Sequence, residues 1–329
     1  MRNLITDVPG LRVGHAEDLR LGSGATALIF DTPAVASIDL RGGGPGTRET
    51  ALLDPAQTVE GIDAIALSGG SAFGLDAASG VQAWLKEQGR GFAVRSARVP
   101  IVPAAILFDL LAAGDKNWGR FPPYRDLGYA AAATAGLEFA LGSVGAGTGA
   151  TTVNCKGGIG SASAKTPDGY VVGALAAVNA AGSVTIDGGP HFWAAPFEQN
   201  GEFGGRGWPT SFPANAFTPI TKGGVRENTT LAVVATDAML TKAQAKRLAV
   251  MAQSGLSRAI YPVHTPLDGD VVFAVATGRR SLADPLLGLT TLGAVAANVV
   301  ARAIARGVFA AQALHLAGSL PSWQDQFGQ

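Results

Sequence analysis

Residues 227–238 read ENTTLAVVATDA, and the character of the chain changes within them. Residues 187–228 are rich in glycine, proline and isolated aromatic residues and show no hydrophobic period. Every residue of 229–236 is apolar or β-branched, which predicts a buried β-strand. A long segment without a period inside a compact protein is usually functional or mobile. The sequence therefore predicts an arm that leads directly into a core strand, and this strand begins with a hydroxyl residue, Thr229.

Apolar runs of strand length alternate with longer helical patterns around this strand, which predicts an α/β or α+β fold. The other predicted strands are 25–30, 34–40, 62–67, 170–178, 183–186, 259–263 and 271–277. The predicted helices are 72–88, 128–141, 241–254 and 290–311. Asp31-Thr32-Pro33 separates the first two strands. A turn at 180–182 predicts that the strands 170–178 and 183–186 form a hairpin. A capping box opens the third helix, and Gly255 ends it.

Composition limits the classes of function. The formal net charge is zero, which argues against a nucleic-acid partner or an anionic membrane surface. Cys155 is the one cysteine, so no internal disulfide can form and a reducing compartment fits. The N-terminus lacks the apolar core and cleavage site of a signal peptide. Because charged residues interrupt the apolar stretch 290–311, we expect a cytoplasmic protein without membrane spans.

A glycine-rich junction, Ser68-Gly69-Gly70-Ser71, lies between the predicted strand at 62–67 and the helix at 72–88. Backbone N–H groups at such a junction can bind an anion. A tight turn that lets the helix pack closely on the strand explains the same glycines and is the simpler interpretation. The sequence leaves both interpretations open.

The Asn228-Thr229 junction suits a hydrolase that cuts its own chain. The Thr229 hydroxyl can attack the Asn228 carbonyl, so that the amide shifts to an ester, which water then hydrolyses. The product is a threonine whose free amine has an ordinary pKa of about 7.7–8.0, so that the neutral amine can accept the proton of its own hydroxyl. Because β-branched residues suit strands, a threonine is also an ordinary way to begin one. The junction alone leaves both interpretations open.

Several long motifs follow one another along the chain: VGH at 13–15, DLRGGGPGTRET at 39–50, ALSGGSAFGLDAASGV at 66–81, KGGIGSAS at 156–163, ENTTLAVVATDA at 227–238 and LDGD at 267–270. Through them nearly the whole chain resembles the L-aminopeptidase/D-amino-acid-esterase family of N-terminal-nucleophile hydrolases. That family includes the β-peptidyl aminopeptidases and the nylon-oligomer hydrolases. The resemblance implies a single catalytic domain, 1–329, that cuts itself into an α subunit, 1–228, and a β subunit, 229–329.

The resemblance also implies the architecture and the partners. The expected fold is an α/β sandwich of layered sheets between helices, similar to the N-terminal-nucleophile-hydrolase fold but with different connectivity. The family suggests a homo-oligomer of αβ units, often a tetramer. No cofactor is expected, and the partner is a small-molecule or short-peptide substrate.

Individual side chains acquire roles from the same resemblance. Thr229 matches the family nucleophile, and Asn179 matches an asparagine that stabilises the oxyanion, a contribution typically worth about 3–4 kcal/mol. Lys156 matches a lysine that supports negative charge or lowers the pKa of the Thr229 amine. Without the resemblance, Asn179 is explained as a turn residue and Lys156 as a surface lysine in a loop.

Asp268 and Asp270 match two positions that are both aspartate in the nylon-oligomer hydrolases. If the segment is extended, both side chains lie on one face. They could then orient the Thr229 hydroxyl and hold the ammonium form of its amine. An Asp-Gly hairpin turn explains the same residues. We expect no metal here, because the sequence offers no third and fourth ligand nearby.

Other polar and aromatic positions modify this interpretation. Some family members carry a catalytic-site tyrosine where Phe108 stands, which implies a missing phenol hydrogen bond and a different substrate preference. Cys155 lacks a convincing histidine partner and is expected to be a buried structural residue. Structural packing is expected of His264 and His15.

The predicted reaction is acyl transfer to Thr229 and then to water. Expected substrates are short peptides, amino-acid amides or esters, β-peptides and ω-amino-acid oligomers such as nylon oligomers. Thr229 and the Asp268–Asp270 pair favour the nylon-oligomer branch. One alternative is an ornithine-acetyltransferase-like enzyme, which passes the acyl group to an amine. The other is a non-catalytic relative that is never cleaved.

Overall fold

The computed structural model describes residues 1–222 and 228–328. Its strands are β1 (Leu11–Asp18), β2 (Ser23–Leu40), β3 (Gly46–Arg48), β4 (Ile62–Ser68), β5 (Phe92–Val94), β6 (Ala97–Val99), β7 (Ala104–Ile106), β8 (Ile159–Lys165), β9 (Val171–Asn179), β10 (Thr229–Ala238) and β11 (Val271–Arg280). Its helices are α1 (Ala77–Glu87), α2 (Tyr124–Ala133), α3 (Lys242–Ala252), α4 (Ser254–Ala259), α5 (Leu287–Phe309) and α6 (Trp323–Phe327). The last part of the predicted arm, residues 223–227, lies outside the described residues.

β10 lies inside a large mixed sheet. Nine of the described strands form this sheet in the order β3-β7-β4-β2-β11-β10-β9-β8, and β1 pairs with β2 beside that path. β10 is antiparallel to β9 and parallel to β11. Every residue of β10 is buried. Its apolar run is typical of a strand that is covered on both faces.

β2 belongs to both halves of this sheet. Its first part pairs with β1 and β4, and its second part pairs with β11. The prediction of two strands separated at Asp31-Thr32-Pro33 is wrong, because one strand runs through these residues. The pairing with β4 shifts register between Ile29 and Ala34. The proline therefore falls at an irregularity in the ladder, where strands tolerate it.

The two halves of the sheet stack face to face between two layers of helices. Leu28 and Phe30 of β2 share one buried apolar cluster with Val233 of β10 and Phe273 of β11. The outer face of the first half packs against α1 and α2, and α3, α4 and α5 cover the other half. Along β10, Val233 faces the opposite sheet and Val234 faces the helices. This four-layer sandwich confirms the expected fold class.

Two predicted short strands, 183–186 and 259–263, are not strands. Ser183 and Tyr261 pair with each other in one isolated bridge, in which each N–H bonds to the other carbonyl at 2.9 Å. β9 pairs instead with β8 and β10, so the hairpin predicted after Asn179 is wrong. Those two strands offer β9 long buried ladders, whereas a four-residue segment offers few pairs.

Two helix ends also differ from the prediction. The predicted capping box opens α3, but Gly255 lies inside α4 instead of ending a helix. A side chain at Gly255 would meet α5, because a Cβ there would lie 2.6 Å from the Val300 Cβ. The helix predicted at 128–141 ends at 133, and Gly136 beyond it bridges to Val13 of β1.

By length and composition, α5 is apolar enough to cross a membrane. In the fold it is a core helix, since it packs against β8 and β9 and most of its apolar window is buried. Arg302, on this helix, is 2% exposed and pairs with Glu202 at 2.5 Å. The charge that interrupts the apolar run is thus neutralised inside the protein.

Candidate active site

Three segments of the chain meet where β10 begins. Thr229 opens this strand and lies opposite Asn179, the last residue of β9. On the other side, Asn228 and Asp268 form a parallel bridge in the same register as β10 and β11. Thr229 is 3% exposed, so the strand begins below the surface. Strand pairing therefore brings Thr229, Asn179 and the LDGD segment together.

From the described part of the chain, the Asn228 carbonyl oxygen accepts two hydrogen bonds. The Thr229 hydroxyl donates one at 2.6 Å, and the Gly269 N–H donates the other at 2.7 Å. The Asn228 N–H donates to the Leu267 carbonyl at 2.9 Å, which fixes the orientation of this residue. Two donors on one carbonyl polarise it, and this makes its carbon more open to nucleophilic attack.

The Asn179 side chain is buried and held by three separate segments. Its amide nitrogen donates to the Phe108 carbonyl at 2.9 Å. Its amide oxygen accepts from the Thr151 N–H and from the Lys222 ammonium, both at 3.0 Å. These contacts fix the position of the Asn179 side chain, which the predicted role as an oxyanion donor requires.

Lys156 is buried, so its interpretation as a surface lysine is wrong. Its ammonium donates to the Thr148 and Ala150 carbonyls at 2.6 and 2.9 Å. Burial lowers the pKa of Lys156 to about 8, although the Asp109 carboxylate opposes this shift. The Lys156 ammonium therefore begins to lose its proton close to neutral pH.

Asp109 is a fully buried carboxylate beside this lysine. It accepts from the Ser23 hydroxyl at 2.6 Å and from the Gly70 N–H at 2.7 Å. Burial raises the pKa of Asp109, and these hydrogen bonds oppose the rise. Gly70 belongs to the glycine-rich junction, so one N–H of that turn does bind an anion, namely the protein's own carboxylate.

Asp268 and Asp270 lie on either side of Gly269, and both are buried. Asp268 accepts from the Ala181 N–H at 3.1 Å and from the N–H and hydroxyl of Thr265 at 2.9 and 2.7 Å. Burial raises the pKa of Asp268, and the negative charge of Asp270 raises it further. Its hydrogen bonds hold the LDGD segment against the end of β9.

Asp270 binds the other side of the same segment. It accepts from the Thr230 N–H at 2.8 Å, and it contacts His264 through that residue's N–H at 3.1 Å and Nδ1 at 2.9 Å. Among the described residues, neither carboxylate hydrogen-bonds with the Thr229 hydroxyl, which donates to Asn228. Through these hydrogen bonds the two aspartates hold the backbone around Thr229. Their contact with the mature amine stays a prediction.

A pocket of about 130 Å³ opens beside the Asn228 residue. Its volume suits a small substrate group and not a folded polypeptide. Five of the polar residues in its lining are Asp109, Thr151, Lys156, Lys222 and Asn228, and Phe108 and Leu111 are among the apolar ones.

Cys155 is buried, and His15 is partly buried. Burial raises the pKa of Cys155, which disfavours a reactive thiolate. Burial lowers the pKa of His15 to about 4, and its ring packs edge-on to Phe139. Both shifts favour the uncharged form of the side chain at neutral pH, which agrees with the structural roles expected of these residues.

Three contributors to the site are not predicted by the sequence: Asp109, Lys222 and Gly269. Asp109 follows Phe108 without any motif of its own. Lys222 lies in the arm, where no period exists, and only the fold brings its ammonium to Asn179. Gly269 is the glycine of the LDGD motif, but this motif predicted a turn and not a backbone N–H that donates to Asn228.

Comparison with known proteins gives a consistent result. The profile of peptidase family S58 matches residues 3–319. An uncharacterized aminopeptidase of Mycobacterium tuberculosis is 44% identical, over 99% of this chain and 98% of that protein. A 6-aminohexanoate-oligomer endohydrolase of Agromyces sp. is 28% identical, over 89% of this chain and 82% of that protein.

Solved structures extend the comparison to the fold. The L-aminopeptidase D-Ala-esterase/amidase from Ochrobactrum anthropi superposes with a TM-score of 0.71 at 21% identity. The match covers 99% of this chain and 94% of that one, whose structure is described as a new variant among the Ntn hydrolase fold. The two chains therefore share this fold over nearly their whole length.

Proposed function

The chain belongs to peptidase family S58, and from this membership we propose that it cuts itself between Asn228 and Thr229 and then uses Thr229 as an N-terminal nucleophile. The products are an α subunit, 1–228, and a β subunit, 229–329. Amide hydrolysis as the general activity follows from the family and from relatives of near full length. The geometry at the start of β10 supports the choice of nucleophile.

One observation carries the proposal: the buried Thr229 hydroxyl lies 2.6 Å from the oxygen of the carbonyl that it would attack. That carbonyl is already polarised by the Gly269 N–H. The nucleophile also stands at the end of a rigid core strand, which holds a reacting group more firmly than a loop does. Proximity of this kind lowers the barrier to an intramolecular reaction.

After cleavage, the new amine of Thr229 is the base of the mature enzyme. In its neutral form it accepts the proton of its own hydroxyl while the oxygen attacks the substrate carbonyl. Asn179 donates to the resulting oxyanion, and the Lys156 ammonium adds positive charge beside it. The protonated amine gives its proton to the leaving amine, and the same amine then activates water to hydrolyse the ester.

The proposed substrates are short peptides, amino-acid amides and ω-amino-acid oligomers. The small pocket beside Asn228 supports a compact acyl group. The relatives' names point to aminopeptidase action in one case and to 6-aminohexanoate oligomers in the other. Initial rates on amino-acid p-nitroanilides, β-dipeptides and 6-aminohexanoate oligomers would rank these classes directly.

The decisive experiment compares the parent chain with Thr229→Ala and Thr229→Ser. The parent and the serine variant should yield a fragment that begins at position 229, because both side chains carry a hydroxyl. The alanine variant should remain one uncut, inactive chain. Intact-mass and N-terminal sequence analysis show whether a fragment that begins at position 229 is formed. An active parent enzyme that proves to be a single unbroken chain would overturn the proposal.

A further inference from the structure

Self-cleavage and substrate hydrolysis each need a donor for a developing oxyanion. The carbonyl that is attacked during self-cleavage belongs to Asn228. The amide of Asn179 donates to the Phe108 carbonyl. Among the residues that the structure describes, the Gly269 N–H is the backbone donor on the Asn228 oxygen, at 2.7 Å.

This Gly269 donor is held in place by strand pairing. Asn228 and Asp268 form a parallel bridge, whose two hydrogen bonds are Asn228 N–H to the Leu267 carbonyl and Gly269 N–H to the Asn228 carbonyl. The bridge continues the register in which β10 pairs with β11. A donor that is already aligned before reaction needs no reorganisation when charge develops on the oxygen.

The absence of a side chain at position 269 matters as well. A Cβ built on Gly269 would lie 2.6 Å from the Thr229 hydroxyl oxygen and 2.8 Å from the Gly44 carbonyl oxygen. A larger residue would therefore push the hydroxyl away from the carbonyl. Glycine is the residue that supplies this N–H and leaves room for the nucleophile.

The neighbouring aspartates anchor the donor. Asp268 is tied to Ala181 and Thr265, and Asp270 is tied to Thr230 and His264. Gly269 lies between them, so its backbone is fixed from both sides. Position 269 thus combines a rigid N–H, a contact with the reacting carbonyl and a close approach to the nucleophile.

We infer that the Gly269 N–H is the oxyanion donor for self-cleavage, whereas Asn179 serves substrate hydrolysis. The inference rests on the proposed function. The Thr229 oxygen bonds to the Asn228 carbonyl carbon while the C=O π pair moves onto the oxygen, where Gly269 stabilises it. When that pair returns, the C–N bond breaks and the Thr229 nitrogen receives the hydroxyl proton. Water then hydrolyses the ester to the Asn228 carboxylate and the free hydroxyl.

The test replaces Gly269 by glycolic acid through nonsense suppression, which changes one backbone N–H to oxygen and adds no side chain. The same replacement at Gly119, which is exposed with nothing near its Cβ position, is the matched control. We expect self-cleavage of the Gly269 ester chain to slow on the order of a hundredfold, as for other oxyanion donors. The Gly119 ester chain should be cut at the parent rate.

Cleavage of the Gly269 ester chain at the parent rate would overturn the inference. A parent chain that never yields a fragment starting at Thr229 would instead overturn the proposed function, so the two failures are distinguishable. Mass analysis separates true cleavage at 228–229 from accidental hydrolysis of the introduced ester at 268–269.

A second measurement does not depend on the folding of the ester chain. In the Thr229→Ala chain, labelled with ¹⁵N-glycine, the Gly269 amide should be protected from hydrogen exchange at least a hundredfold more than the Gly119 amide. Equal exchange at both positions would show that the donor bond is not formed, and would overturn the inference.

Discussion

Thr229 and Asn179 stand directly opposite each other, as the first residue of β10 and the last residue of β9. The proposed nucleophile and the proposed oxyanion donor therefore come from the ends of two adjacent antiparallel strands. Register controls this relationship, because a slip of one residue would turn the Thr229 side chain to the opposite face of the sheet. The long buried ladder of β9 and β10 makes such a slip costly.

Asn179→Ala should impair hydrolysis more than self-cleavage. The variant loses the proposed donor for substrate oxyanions, and one such donor is worth a factor of about 10²–10³ in kcat. The Asn228 carbonyl keeps its bond from Gly269. Two rates are compared between the variant and the parent: kcat on an amide substrate, and the rate at which the 229–329 fragment appears. Equal losses in both rates would contradict the division of donors.

The activity of the mature enzyme should fall as pH rises through about 8. Burial lowers the pKa of Lys156 to about 8, so its supporting positive charge is present below that pH and is lost above it. The acid limb follows the Thr229 amine, which must be neutral to act as a base. The measurement is kcat/KM against pH.

Lys156→Arg tests the origin of that alkaline limb. Arginine keeps its charge at every pH in the range, so the remaining activity should no longer fall near pH 8. Lys165→Arg, at the exposed end of β8, is the control and should retain the parent profile. An unchanged alkaline limb in the Lys156 variant would exclude Lys156 as its source.

Asp270→Ala should destabilise the fold by roughly 3 kcal/mol, because a buried Thr230 N–H and the His264 contacts lose their acceptor. The Thr229→Ala background keeps the chain intact during the measurement. Glu138→Ala is the control, since Glu138 is exposed and should change the free energy of unfolding by less than about 0.5 kcal/mol. Urea unfolding of both variants decides the point. Equal midpoints would show that Asp270 does not anchor the site.

Phe108→Tyr should change substrate preference. Phe108 lines the pocket beside Asn228, so a phenol there adds a donor within the site. One new hydrogen bond of about 1 kcal/mol corresponds to a roughly fivefold change in relative kcat/KM between amino-acid amides and 6-aminohexanoate oligomers. Phe121→Tyr, at an exposed phenylalanine, provides the comparison. If both variants rank the substrates as the parent does, Phe108 does not control specificity.

The sequence was most informative where one physical property decided the structure. The apolar, β-branched run after Asn228 correctly predicted where β10 begins, and the run before Asn179 predicted the end of β9 to within one residue. The capping box of Thr241 and Gln244 likewise predicted the start of α3, because its hydrogen bonds are local. Each of these features depends on residues that are close together in the chain.

The features that the sequence did not predict depend on contacts between residues that are far apart in the chain. The segment Asp31-Thr32-Pro33 looked like a break, but β2 continues through it and pairs with other strands on both sides of it. The contact of Lys222 with Asn179 joins residues from separate segments, and so does the electrostatic contact of Asp109 with Lys156. No local pattern reports which buried charges will face one another.

The position of β10 between β9 and β11 determines what a cut at 228–229 does to the whole molecule. The 229–329 fragment contributes both β10 and β11 to the sheet. The strands that pair with them, β9 and β2, belong to the 1–228 fragment. The nicked protein should therefore melt as one cooperative body, with no release of either piece under native conditions. Its recovery after denaturation should become a second-order process that depends on concentration, whereas the intact Thr229→Ala chain should refold at a rate independent of concentration.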